Sequence, residues 1–303
     1  MPRAYLLGLV LPALLLTACD TIEDNAVPTE VVVESYQVAL EPLQPVRLSR
    51  LADIDDAFRF ADSAINNAEV QIDLLAPDGS VETTYTYQRT SASSLPGHYS
   101  YPTVGRRTPP RVLPLRQYRL TARIPDTGEV VTSTTLVPDT FRVVTTNLDT
   151  VRYQREPAFE VQVTQSTFPG RQNIFIFTTT ARNPARDNLT AFYAEFLDDE
   201  ADVRELETTS SPPLFEGNYT VNADGTINIR LPWLAVAFYG TLDASINVID
   251  DNLYDFIRSQ QVQQGGSTLG PGEIPNVLDR VENGTGVFGS FARITEEVHV
   301  LRE

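Results

Sequence analysis

The sequence contains no lysine. All 23 of its basic residues are arginine, against 40 aspartates and glutamates, for a net charge of −17 and a pI near 4.5. A field of that sign repels phosphate backbones, so nucleic acid is not an expected partner. Cysteine is almost as scarce: Cys19 stands alone among 303 residues. No intramolecular disulfide can form, and no thiol cluster is available for zinc. Only two histidines occur, His98 and His299, and neither an HExxH nor a GxSxG segment accompanies them. A histidine-based triad or metal site therefore lacks its usual parts. Beyond residue 16 there is no apolar run of the roughly 20 residues that a membrane helix takes. With 42% hydrophobic and 9% aromatic residues the chain is nonetheless too apolar for disorder, and it must fold by packing alone. Two accounts of the acidity stand open. One is a GC-rich genome that encodes arginine for lysine; the other is a high-salt habitat, where screening relieves the self-repulsion of an acidic surface.

What is present begins at the amino terminus. Arg3 is followed by 13 uncharged residues, Ala4 to Leu16, and the run closes on Leu16-Thr17-Ala18-Cys19. A basic start, an apolar middle and a small-residue exit read as a secretory signal, too short to cross a bilayer. Leu-Thr-Ala-Cys resembles the lipobox of bacterial lipoproteins. That resemblance implies removal of residues 1–18, a thioether from Cys19 to diacylglycerol and an acylated new amino terminus. One acyl chain holds a protein reversibly and two hold it stably, so the three implied here would anchor it to the membrane. Residues 19–30 read as a flexible tether. Asp20, Glu23 and Asp24 follow the cysteine directly; acids there resemble a signal for display on the outer face of the outer membrane, and the alternative is a solvated linker.

From Val31 onward the pattern is one of strands. Val31 to Leu40 passes from a β-branched run into alternation, and Val46 to Ser49 resumes after Pro42 and Pro45. Ala68 to Leu75 alternates Val70, Ile72 and Leu74 with Glu69, Gln71 and Asp73; Pro77-Asp78-Gly79 turns the chain, and Val81 to Gln88 returns. Further strands are expected at Gly97 to Tyr101, Gln117 to Ile124 and Val130 to Val137. Strands at this spacing predict an antiparallel sandwich of about seven strands over residues 31–138. Pro138-Asp139 marks a boundary, and residues 139–303 read as a second β-rich domain with one or two short helices. Its strands are expected at Phe141 to Thr146, Ala158 to Thr164, Asn173 to Ala181, Thr241 to Ile249, Val287 to Phe291 and Ile294 to Leu301, and Asn222 to Leu231 contains a turn at Ala223-Asp224-Gly225 followed by alternating Ile227, Ile229 and Leu231. Ala191 to Glu207 reads as helix or loop. Asp250-Asp251 can cap a helix carrying Leu253, Phe256, Ile257 and Gln260 at helical spacing, with a loop from Gln261 to Gly272 after it.

Taken together, the lipobox, the Val-rich first strand, Tyr118-Arg119-Leu120-Thr121 leading to Val137-Pro138, Pro275-Asn276-Val277 and Asn283-Gly284-Thr285-Gly286-Val287-Phe288-Gly289 carry a resemblance. They are similar to a family of bacterial surface lipoproteins with a domain of unknown function. The resemblance implies an immunoglobulin-like or transthyretin-like first half and genes placed beside TonB-dependent outer-membrane transporters. No family active site comes with it. Independently of the family, Gly284, Gly286 and Gly289 permit positive φ or close backbone approach, with Phe288 plugging the core beside them; the alternative is a ligand-cradling loop.

Other candidates for chemistry are diffuse. Asp198, Asp199, Glu200, Asp202, Glu205 and Glu207, like Asp53, Asp55 and Asp56, could hold Ca²⁺ or form a solvated face, and the EF-hand spacing is absent. Arg106, Arg107, Arg111, Arg116, Arg119 and Arg123 form a basic patch suited to a phosphate or carboxylate, or to pairing with surplus acids. Trp233 and Tyr85, Tyr87, Tyr99 and Tyr101 could stack on sugars or on one another. The leading expectation is a non-enzymatic, lipid-anchored binding or scaffolding accessory at the outer membrane, tethered through Cys19 and associated with a transporter. No catalytic residue, metal ligand or cofactor is expected. A carboxylate-based glycan hydrolase and a calcium-stabilised adhesin are the alternatives.

Overall fold

The computed structural model describes residues 30–51, 59–92, 95–103, 108–198, 201–263 and 280–302. Cys19, Asp53, Asp55, Asp56, Arg106, Arg107, Asp199, Glu200 and the segment Pro275-Asn276-Val277 lie outside them. The protein is mainly β, with a large mixed sheet and a smaller one. Seven strands occupy the first half: β1 (Val31–Val38), β2 (Val46–Arg50), β3 (Glu69–Leu75), β4 (Val81–Arg89), β5 (His98–Ser100), β6 (Gln117–Ile124) and β7 (Glu129–Leu136). A single helical turn, α1 (Phe60–Ser63), lies between β2 and β3. The second half adds β8 (Val143–Thr146), β9 (Thr150–Arg152), β10 (Glu160–Thr164), β11 (Ile174–Ala181), α2 (Ala191–Phe196), β12 (Thr208–Ser210), β13 (Leu214–Phe215), β14 (Thr226–Arg230), β15 (Gly240–Ile249), α3 (Asp251–Gln263) and β16 (Thr285–Leu301).

The large sheet runs β12-β11-β15-β16-β1-β2-β5-β4-β3-β6-β7, and β14-β10-β8 form the small one. β1 pairs in parallel with β16, from Val32 against Thr285 to Val38 against Phe291, so the first strand of the first half is stitched to the last strand of the second. The sheet also curls back on itself. Thr132 on β7 and Glu282 exchange both backbone hydrogen bonds just before β16 begins, bringing the far edge of the first half against that seam. The result is a β-sandwich whose inner residues form one core from Val31 to Val300. Pro138-Asp139 lies in the connection from β7 to β8.

Local patterns account for most elements. Along β6 the buried Tyr118, Leu120, Ala122 and Ile124 alternate with more accessible polar residues, as a half-buried strand requires. The Pro77-Asp78-Gly79 turn brings Gly79 to φ +83, and the Asp78 carboxylate accepts hydrogen bonds from the Ser80 amide and hydroxyl. Two expected strands near the carboxyl terminus are one, β16, because Arg293 continues the ladder opposite Asn247 and a polar residue on an accessible face does not end a strand. Likewise α3 runs past Gln260 to Gln263, where the sequence predicts a loop. Helix α3 packs on the outer face of β11, β15 and β16 over a small separate cluster of Ile174, Ile176 and Ile249 with Leu253, Ile257 and Phe291.

The glycine segment is a seam, not an open loop. Asn283 takes φ +58 and Gly286 φ +103. A Cβ on Gly284 would lie 2.6 Å from the Val31 carbonyl oxygen, and one on Gly286 2.1 Å from that of Val33. Phe288 is fully buried beside them. The reading of close backbone approach with an aromatic plug is the one the structure bears out.

Candidate functional site

A cleft of about 780 Å³ opens where the outer face of β3, β6 and β7 meets the start of α3 and the Arg280-Val281-Glu282 segment. Register builds its floor. Gln71, Thr121 and Thr132 stand opposite one another across three strands, and Asp73, Arg119 and Thr134 form the next row. Asp73 is nearly inaccessible, only 2% exposed. Its carboxylate accepts from the Thr84 hydroxyl at 2.7 Å and from Arg119 at 3.1 Å, with the Gln71 amide at 3.3 Å. A guanidinium and a hydroxyl hold this carboxylate in one orientation.

The opposite wall is also pinned. Asn252, in the first turn of α3, donates to the carbonyls of Thr134 and Phe288 at 2.8 Å each and so fixes the helix to both β7 and β16. Arg280 donates through Nε to Asp255 at 2.8 Å, while its carbonyl accepts from the Ser133 hydroxyl at 2.7 Å. Thr132 donates to the Glu282 carboxylate at 2.8 Å. The lining therefore balances two arginines against two acids and offers hydroxyls and amides between them. Such a surface recognises a polar, largely neutral ligand through many directed hydrogen bonds.

Just behind this wall lies a buried carboxyl. Asp250 caps α3: its Oδ1 accepts from the Leu253 amide at 2.9 Å, and Thr135 lies 2.5 Å from Oδ2. Burial pushes the Asp250 carboxyl up to about 6, against the opposing hydrogen bonds from Thr135 and from backbone amides, with Asp251 adding to the rise. Among the described residues it is the carboxyl displaced upward, and it serves the helix and the core, not the cleft.

The residues singled out in the sequence are dispersed. The His98 Nδ1 lies 2.9 Å from the Pro96 carbonyl and that of His299 3.1 Å from the Thr241 hydroxyl. Among the described residues neither imidazole pairs with a carboxylate, and no three His, Cys, Asp or Glu side chains gather to hold a metal ion. Asp202 caps a short 3₁₀ turn through the Arg204 amide. Of the basic patch, Arg116 pairs with Glu82 and Arg119 with Asp73, while Arg111 donates to the Leu40 carbonyl. Trp233 packs edge-on against Tyr153, and Tyr85 and Tyr87 pack against Tyr101. Of these residues Arg119 lines the cleft. Its partner Asp73 reads in the sequence as the solvent side of a strand, and only the hydroxyl run Thr132-Ser133-Thr134-Thr135 hints at a polar surface there.

No helix among the described residues is long and apolar enough to cross a membrane. Among curated proteins none matches the chain. One solved structure, described as a tetra-tandem repeat in the extending region of a large adhesion protein, is similar over 88% of this chain at 12% identity and a TM-score of 0.20; the chain spans about half (48%) of that structure's length. Residues 19–297 match the family model described as a domain of unknown function (DUF4249), and the chain belongs to that family.

Proposed function

We propose that this family member is a lipid-anchored protein of the outer membrane, displayed at the cell surface, which acts as a binding or scaffolding accessory, beside a TonB-dependent transporter. The observation that carries the binding role is the cleft, lined by Asp73 paired with Arg119 and by Arg280, which Asp255 holds in place, with the polar side chains of Gln71, Thr121 and Thr134 between them. Side chains held in one orientation suit the positioning of a ligand. The anchor is supported by Leu16-Thr17-Ala18-Cys19 and its resemblance to a lipobox.

Replacing Cys19 by Ser is expected to move the protein from the membrane fraction to an uncleaved or soluble form and to abolish the mass added by acylation. A variant that still partitions with membranes and keeps that added mass would refute the anchor. The accessory role is read separately. Detergent-solubilised wild-type protein is expected to co-purify with an outer-membrane transporter, and consistent recovery alone would count against it.

A further inference from the structure

Two hollows that share no lining residue with the cleft meet at one arginine. The first, about 340 Å³, lies between α3 and the outer face of the sheet, with an apolar wall of Ile176, Ile249, Leu253, Phe256 and Ile257. The second, about 360 Å³, lies over β1 and β2. Tyr36, Phe291 and Arg293 line both and form the partition between them.

Arg293 is held from behind. Its Nε donates to the Asn247 Oδ1 at 2.8 Å, and its guanidinium sits 4.7 Å from the centre of the Phe291 ring. Asn247 is itself fixed, its amide donating to the Ile176 carbonyl at 2.9 Å and the Thr178 hydroxyl at 3.2 Å. The remaining guanidinium nitrogens have no carboxylate partner among the described residues. By contrast Arg47, Arg171, Arg182 and Arg280 each pair with an acid. Partial burial lowers the pKa of Arg293, whose side chain remains accessible to solvent, and the Glu41 charge opposes that. Arginine nevertheless stays charged at neutral pH. Tyr36 adds a second donor: its hydroxyl has no hydrogen-bond partner among the described residues, and burial, reinforced by Glu34, pushes it up to about 12, so it keeps its proton.

We propose that Arg293 and Tyr36 form a receptor for a single carboxylate whose apolar body lies in the hollow beneath α3. One guanidinium carries one charge, and an acidic protein of net charge −17 disfavours a dianion, so a monoanion is the matched ligand. The hollow lies at the small end of ligand pockets, which suits a body of about ten non-hydrogen atoms. A free amphiphilic acid and the terminal carboxylate of a peptide ending in an aliphatic residue share this chemistry.

Isothermal titration of the full chain in detergent tests it, with hexanoate and N-acetyl-leucine as the two carboxylates and 1-hexanol and N-acetyl-leucinamide as neutral counterparts. At least one carboxylate is expected to bind saturably with Kd below about 5 mM, at least tenfold tighter than its neutral counterpart; whichever carboxylate is tighter identifies the source. Arg293→Gln is expected to weaken it tenfold or more. Tyr36→Phe, which keeps the ring and removes only the donor, is expected to weaken it severalfold with the melting temperature unchanged, and it carries the test if Arg293→Gln fails to fold. Absence of saturable heat, equal binding of acid and neutral probe, or wild-type affinity in both variants overturns the proposal.

Discussion

Gly286→Ala is expected to lower the free energy of unfolding by about 3 kcal/mol or more, the largest loss of any alanine substitution at a described glycine. Two costs combine. Gly286 sits at φ +103, where an L side chain is strained by about 1 to 3 kcal/mol. Its added Cβ would also lie 2.1 Å from the Val33 oxygen and 3.0 Å from the Val33 nitrogen, both rigid backbone atoms of the paired strand. The strands must part for it to fit, and they are the pair that joins the two ends of the chain. Gly79→Ala separates the two costs, because Gly79 has φ +83 and an added methyl there would meet nothing within 4 Å. It is expected to lose only about 1 kcal/mol. Urea denaturation of both variants reads the difference, and equal losses would mean that β1 and β16 do not pair in this register.

That seam shows what the sequence carried and what it did not. Two-residue alternation marked β3, β4 and β6 because apolar and aromatic residues recur on one face of each, and Pro77-Asp78-Gly79 marked the turn because its conformations belong to those residue types. The close approach at Gly284 and Gly286 was legible as well, since few other reasons keep glycine so dense beside a buried phenylalanine. Which strand they approach was not, because pairing between the two ends of the chain leaves no local trace. The candidate sites were hidden for the same reason. Asp73 and Arg119 each read as a solvated residue, and they become partners only through the β3–β6 register. Arg293 looked like a break between two strands; Asn247 and Tyr36, on other strands, make it a site. The cap at Asp250 was readable from Asp250-Asp251 before an amphipathic run, whereas its burial depends on β7 folding across it.

Asp250→Asn is expected to keep or raise stability at pH 7.5 and to flatten its dependence between pH 4 and 6.5, while Asp250→Ala is expected to cost about 3 kcal/mol. Proton counting gives the reason. Asp250 Oδ2, the Thr135 hydroxyl, the Ser290 hydroxyl and the Leu136 carbonyl form a chain with separations of 2.5, 2.6 and 3.2 Å. Two hydroxyl protons serve at most two of those three contacts. A proton on Asp250 supplies the third, letting Asp250 donate to Thr135, Thr135 to Ser290 and Ser290 to Leu136. The side-chain amide introduced by Asp250→Asn can donate in the same direction while its oxygen accepts from the Leu253 amide, whereas alanine leaves that helix-start amide without its acceptor and empties the space the carboxyl filled. The sign follows from the folded pKa of about 6, above the ordinary 3.8. Stability from this group is full below about pH 4 and is lost as pH rises through about 6, a change of about 3 kcal/mol for a rise of that size. Glu129 and Glu156, held below their ordinary values by Arg50 and Arg230, slope the opposite way. The quantity to measure is therefore the difference between wild type and Asp250→Asn in urea midpoints across that window. A difference that stays constant with pH would show that Asp250 folds in its charged form and that Thr135 is its donor throughout.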